Sequence, residues 1–338
     1  MQKLGIFFFL GIGDWLLLTP AIEVIKRQFP ATKIFLVTKN RNLQPILKGD
    51  KSITGYSFLP DYSVFFRNFK EDDFILVPNY TYLRPWDECQ RHLINFYGRI
   101  LGLKTEVGLP KINLPKKDDD FGRDFARSFK GRIIVLYPFS SVLANRWDKK
   151  KWEALIKATR GYIFVQLGSK GSPSLKGALN LCGRTSLLQA FALVKYARLL
   201  VGVDGLFNHV AQAFGVPKVI LWGPHSPRFF GYTDKTINIF KKISCSPCHP
   251  VNTQTLPVRC QERLAQGLSC RCMEKISVDE AQEAIKKLII GFSSEKKEDV
   301  PLVLGGANLC RSCFLRQRCQ PDYFKVRLRD LRLLRWLD

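Results

Sequence analysis

Four short segments and a group of cysteines hold the residue types that could do chemistry. The first segment is Gly11-Ile12-Gly13-Asp14, which follows an apolar run from Leu4 to Leu10 and opens a helical pattern. Glycines there let a ligand come close to the backbone, and a helix N-terminus favours anions. Gly11 and Gly13 therefore fit a loop that lets a ligand or a phosphate approach the backbone. Asp14 reads either as the cap of the helix or as a carboxylate offered to a ligand. A dinucleotide fingerprint would need a third glycine where Leu16 stands, so the pair does not define such a site.

The second segment, Ser140 to Trp147, follows the apolar run Ile133–Tyr137 and includes Ser141, Asn145 and Arg146. Small hydroxyls and an arginine beyond a strand's carboxyl end suit phosphate binding, though a polar surface loop has the same composition. The third runs from Val201 through Asp204 and Gly205 to His209, again from strand end to helix start. Taken alone, Asp204 reads as a helix cap and His209 as a core histidine. The fourth is the turn Gly223-Pro224-His225-Ser226-Pro227.

The chain has ten cysteines. No leader with a small-residue cleavage site and no long uninterrupted apolar run is evident, so a cytoplasmic location with reduced thiols is expected. Reduced thiols in clusters point to metal. Cys245, Cys248, Cys260 and Cys272, with Cys270 as alternate, suit a structural zinc or iron site or an iron–sulfur cluster. Four thiolates leave no open position, so that role is structural. Cys310, Cys313 and Cys319 form a possible second group, while Cys89 and Cys182 read as ordinary buried cysteines.

The elements needed to position these segments alternate. Strand-like runs at Leu4–Leu10, Lys33–Thr38, Phe74–Val77, Ile133–Tyr137, Tyr162–Leu167, Leu199–Val203 and Lys218–Trp222 are separated by helical patterns. Short apolar strands between helices predict parallel sheets covered on both faces, an α/β fold. Lys116–Asp120 reads as a solvated charged stretch, a possible helix follows at Phe121–Phe129, and Phe324–Asp338 as a basic amphipathic helix suited to an anionic membrane surface or to the protein body. The expected domains are 1–130, 131–292 with a cysteine-rich loop at 244–272, and a linker and basic tail at 293–338. Lys and Arg number 53 against 29 Asp and Glu, a net charge of +24, which suggests an anionic partner. Specific nucleic-acid recognition is disfavoured, since no reading motif or aromatic platform is present.

In order, the segments resemble glycosyltransferase family 9, the ADP-heptose:lipopolysaccharide heptosyltransferases. The resemblance runs through Gly11-x-Gly13-Asp14-x-x-Leu17-x-Thr19-Pro20, Arg146-Trp147 with Trp152, Gly183-x-Thr185-Ser186-Leu187, Val201-Gly202-x-Asp204, His209-x-Ala211-x-Ala213-x-Gly215-x-Pro217 and Gly223-Pro224-x-Ser226-Pro227. It implies a GT-B fold: two Rossmann-like domains with a cleft between them, the first receiving the acceptor and the second a nucleotide-sugar. It further implies inversion at the sugar without a catalytic metal. Asp14 would be the general base, and Ser140, Ser141, Arg146, Asp204, Gly205, His209 and Gly223 would form the donor site. The implied acceptor is an anionic glycolipid or related glycan, with possible peripheral contact at the inner membrane face; a protein acceptor and a non-enzymatic, metal-stabilised module are alternatives. Two departures stand out. Asn145 occupies a place where the family carries lysine, and Gly205-Leu206 stands where it carries Ser or Thr followed by Gly.

Overall fold

The computed structural model describes residues 3–61, 63–69, 73–77, 92–104, 107–248, 256–291 and 325–327. Packing divides the chain into two units, Met1–Asn113 with Gly305–Asp338, and Leu114–Leu304.

The first unit is built on the sheet order β11-β4-β1-β2-β3. Its elements are β1 (Lys3–Phe8), α1 (Ile12–Gln28), β2 (Lys33–Thr38), α2 (Gln44–Gly49), β3 (Gly55–Phe58), α3 (Ser63–Asn68), β4 (Asp73–Val77) and α4 (Leu93–Ile100). Strands β1 to β4 are parallel, with Gly5 opposite Phe35 on one side and Phe74 on the other. After Lys3, every residue of β1 is buried, as a strand covered on both faces requires. In α1, Pro20 cannot bond the carbonyl of Leu16. The Thr19 hydroxyl donates to that carbonyl at 2.8 Å, so the Thr-Pro pair keeps the helix intact.

The second unit runs through α5 (Lys116–Ser128), β5 (Ile133–Tyr137), α6 (Lys149–Ala158), β6 (Ile163–Gln166), β7 (Ala178–Asn180), α7 (Leu187–Lys195), β8 (Leu199–Val203), α8 (Leu206–Ala213), β9 (Lys218–Trp222), α9 (Pro227–Phe230), β10 (Thr236–Phe240), α10 (Val258–Ala265), α11 (Arg271–Glu274) and α12 (Val278–Gly291). Its strands are parallel in the order β10-β9-β8-β5-β6-β7. All residues of β8 and β9 are buried. Helix starts follow local chemistry: Asp148 accepts from Lys150 N–H to cap α6, and Ser186 with Gln189 closes a capping box on α7.

Two expectations need correction. Lys116–Asp120 is the first turn of α5, not a solvated stretch. Pro115 stands at its N-cap, its acidic residues suit the helix N-terminus, Asp118 is buried, and Asp119 pairs with Lys195 at 2.7 Å. That pairing, with a hydrogen bond from Tyr196, holds the Asp119 carboxyl below its ordinary pKa. Gly122 makes the packing possible, because a Cβ there would lie 2.6 Å from the Ala192 backbone on α7. The second correction falls in the expected tail helix. Lys325–Arg327 forms β11, antiparallel to β4, because it meets an open sheet edge whose backbone groups need partners; the rest of that segment lies outside the described residues, as do Cys89, Cys310, Cys313 and Cys319. Among the described residues no helix is long and apolar enough to cross a membrane.

Candidate functional site

Strand order locates the candidate sites. In a doubly wound sheet, ligands bind beyond the carboxyl ends of the strands where the order reverses. In the first unit the chain proceeds β1-β2-β3 to one side and β4 to the other, so the reversal lies between β1 and β4. The loop that leaves β1 there is Phe9 to Gly11. Its shape is held by Asn40, whose amide donates to Leu10 O at 3.1 Å. Gly11 caps α1, and its N–H donates to Asp14 Oδ2 at 3.2 Å. The other carboxylate oxygen, Oδ1, accepts from the Tyr97 hydroxyl at 3.3 Å. Tyr97 is fully buried on α4, and Asp14 itself is half-buried. Asp14 therefore caps the helix with one oxygen and takes a tyrosine hydroxyl with the other. Tyr97 was missed from the sequence, where it reads as one more apolar position of α4.

In the second unit the reversal lies between β5 and β8. The loop after β5 carries Ser140, Ser141, Asn145 and Arg146; the loop after β8 carries Asp204 and Gly205. Ser140 is buried and donates to Val142 O at 3.2 Å, while Ser141 and Arg146 are exposed. The loop is anchored from behind by Trp147, whose indole donates to Ile276 O at 3.1 Å and meets Trp152 edge-on at 5.0 Å. Both indole rings are buried, and losing such a side chain costs about 3–5 kcal/mol. The two tryptophans thus act by placing the loop.

Asp204 does not cap α8; Gly205 holds that position. The Asp204 carboxylate instead turns sideways across the strand ends. Its Oδ2 lies 2.9 Å from His225 Nδ1 and 3.4 Å from Asn145 Nδ2, and the same amide donates to Asp204 O at 3.2 Å. All three residues are buried. Among the described residues Asn145 Oδ1 has no hydrogen-bond partner. Tyr137, at the end of β5, is pushed up to about 12 by burial and by the charge of Asp204. A Cβ on Gly205 would lie 3.0 Å from the Tyr137 ring, so the glycine makes room for that aromatic wall. Gly223 is constrained more tightly: a Cβ there would stand 2.9 Å from Ala144 O and 3.2 Å from Asn145 Oδ1. Ser226 caps α9.

His209 belongs to a second buried network. Its Nδ1 lies 2.9 Å from the Tyr232 hydroxyl. The Tyr232 ring lies under Lys218 Nζ at 5.1 Å, and Lys218 donates to Gln212 Oε1 at 2.5 Å. Burial pushes Lys218 down to about 7. A lysine at a strand start reads as exposed in the sequence, so only its packing reveals this network.

The cysteine-rich segment is fastened to the Gly223–Pro227 turn. Cys248 N–H donates to Pro224 O at 3.0 Å, and Ser246 Oγ donates to Gly223 O at 3.1 Å. Cys260, Cys270 and Cys272 are buried; Cys245 and Cys248 are partly buried. All five are free thiols that interact electrostatically. Burial first, then the neighbouring thiols, push Cys248 up to about 12 and Cys270 beyond that range. Cys272 is pushed up to about 11, by burial with Cys260 and Cys245 adding to it. Among the described residues, however, no group of three or more His, Cys, Asp or Glu side chains is arranged to hold a metal ion. The expected tetrathiolate cage is therefore not formed among the described residues. The donor chemistry still suits a thiophilic cation, which would bind these side chains as thiolates. Cys182 is half-buried, with its thiol donating to Gln166 O at 3.9 Å.

Comparison with known proteins adds an independent line. The family described as Glycosyltransferase family 9 (heptosyltransferase) matches residues 88–258, half of the chain. Lipopolysaccharide heptosyltransferase 1 of Pseudomonas aeruginosa is 26% identical over 150 residues, 40% of this chain and 42% of that protein. Lipopolysaccharide heptosyltransferase 2 of Salmonella typhimurium is 32% identical over 122 residues, 31% of this chain and 35% of that protein. The chain thus aligns with about two fifths of the length of these curated relatives. Among solved structures, a family 9 glycosyl transferase from Veillonella parvula superposes with a TM-score of 0.67 at 18% identity, covering 86% of this chain and 98% of that one. The iron-containing dodecameric glycosyltransferase TibC from enterotoxigenic E. coli gives a TM-score of 0.65 at 17% identity, covering 86% and 77%. The fold is α/β and of the GT-B class. On the strength of the family match and of a fold that puts the matching motifs at the strand ends, the chain belongs to glycosyltransferase family 9.

Proposed function

We propose that the chain is an inverting glycosyltransferase that moves a sugar from a nucleotide donor, ADP-heptose in the first instance, to a lipopolysaccharide-core or related glycan. The observation that carries this reading is the complementary furnishing of the two reversal points. One presents a held carboxylate, Asp14, and the other places Ser140 and the Asn145 amide beside the N-terminus of α8, with Arg146 exposed on the same loop. Asp14 takes the proton of the acceptor hydroxyl as that oxygen attacks the anomeric carbon. The bond to the diphosphate breaks on the opposite face, through an oxocarbenium-like transition state. Negative charge builds on the departing diphosphate, where Arg146, Ser140, Ser141 and the amides around Gly205 stabilise it. Asp204, His209 and Gly223 shape the pocket, and Gly11 and Gly13 admit the acceptor.

Cys245, Cys248, Cys260 and Cys272, with Cys270 as alternate, would hold a structural zinc or iron behind the Gly223 turn. The free thiols, clustered in sequence, and the iron-containing TibC, similar in fold, support this. The protein is read as acting in the cytoplasm, against acceptors at the inner membrane face. The test is incubation of the purified chain with ADP-heptose and a heptose-deficient lipopolysaccharide core, followed by mass spectrometry and anomeric analysis. A product lengthened by one inverted heptose is expected. Transfer to protein side chains alone would move the acceptor to the protein class. No transfer from any nucleotide-sugar would favour a non-enzymatic module, for which the neutral Asn145 beside Asp204 is the motivating observation.

A further inference from the structure

Groups from the carboxyl ends of β5, β8 and β9 meet at one carboxylate. Asp204 Oδ2 lies 2.9 Å from His225 Nδ1 and 3.4 Å from Asn145 Nδ2. The side chains of Asp204 and His225 each keep 11% of their surface exposed, so the pair is mostly dry but reaches solvent at an edge. A carboxylate in such a place is costly unless its charge is balanced. Asn145 is neutral and contributes only an amide. Its other polar atom, Oδ1, is a buried acceptor without a hydrogen-bond partner among the described residues.

The surrounding groups narrow the choice. Tyr137, from β5, is pushed up to about 12 and stays neutral. The Phe230 ring, on α9, meets the His225 ring edge-on at 5.6 Å. Cys248, which reaches Pro224 through its backbone, is likewise pushed up to about 12. Arg146 and Arg228, on the loop after β5 and on α9, are exposed. Within this set the His225 imidazole is the group whose chemistry lets it take up a proton and become a cation. A nucleoside diphosphate at the β5/β8 reversal brings further negative charge beside Asp204. The repulsion falls when the imidazole carries a proton.

We infer that binding of a nucleoside diphosphate draws a proton onto His225, so that the Asp204–His225 pair sets the charge of the donor site where Asn145 does not. This rests on the donor-site reading above. It makes His225 a positioning and charge-balancing residue, and donor affinity falls as pH rises.

The test is calorimetric titration of the full chain with ADP, in buffers of different ionisation enthalpy and across about pH 6 to 8. Wild type is expected to take up about one proton more than His225→Gln. The ratio of wild-type Kd to His225→Gln Kd is expected to rise about tenfold over that interval, because binding by wild type alone is linked to uptake of that proton. The diphosphate's own ionisation is common to both proteins and cancels in the ratio. Asn145→Lys sets a fixed ammonium beside Asp204 and is expected to bind ADP with the excess pH dependence removed. Should His225→Gln fail to fold, the wild-type and Asn145→Lys titrations still decide. A flat ratio with equal proton counts, or an Asn145→Lys protein as pH-dependent as wild type, overturns the inference and leaves the donor site standing. A wild type that binds none of ADP, UDP, GDP and CMP overturns the donor-site reading and this inference with it.

Discussion

The loop after β1 and the loops after β5 and β8 stand at equivalent places, each at the reversal of a parallel sheet, yet they are furnished differently. At the first, one half-buried carboxylate is held by a backbone amide and by a tyrosine hydroxyl on a separate helix. At the second, Asn145, Asp204 and His225 are all buried and come from the ends of three neighbouring strands. The first arrangement leaves a single group to act on a proton. The second makes a shaped, rigid wall with little slack, suited to holding a large ligand in register. Shared topology decides where a site can lie, and the side chains decide what it does.

Substitutions can press on this contrast. The largest effect on stability is expected at Gly223, where an added Cβ would meet backbone 2.9 Å away. Gly223→Ala should cost about 1–3 kcal/mol, by analogy with overpacked cores, and weaken nucleotide binding; thermal unfolding and ADP titration measure both. Tyr97→Phe removes one hydrogen bond to Asp14 and is expected to lower the transfer rate about tenfold, the kinetic equivalent of ~1.5 kcal/mol, with ADP affinity unchanged. Gly11→Ala should do least. Its Cβ would meet only Asp14 Oδ2, at 3.3 Å, the end of a side chain that can shift. A small change in unfolding temperature, within the ±0.5 kcal/mol typical of surface sites, is expected. If Gly11→Ala proved as damaging as Gly223→Ala, the first loop would be as rigid as the second and the contrast would fail.

Much of the scaffold could be read from the sequence. Buried parallel strands leave short apolar runs such as Leu199–Val203, and capping residues such as Ser186 mark helix starts. Side-chain partnerships were harder to read. Tyr97 reaches Asp14 across 83 residues, and His225 reaches Asp204 across 21, with no spacing rule to announce either. The helix at Lys116 was hidden by its charge, since Asp118 and Asp119 look solvated until α7 supplies Lys195. Lys218 was hidden likewise, because a lysine's burial depends on partners, here Gln212 and Tyr232, brought by other segments.

The division of labour between the two reversal points is the central claim. It is tested most directly by measuring ADP affinity and heptose transfer together in wild type, Asp14→Asn and Arg146→Ala. Asp14→Asn should bind ADP as wild type does and lose transfer by about a thousandfold, the scale of general-base catalysis. Arg146→Ala should lose ADP affinity by tenfold or more, about the loss of one charge-assisted hydrogen bond. Full transfer by Asp14→Asn, or undiminished ADP binding by Arg146→Ala, would contradict the account.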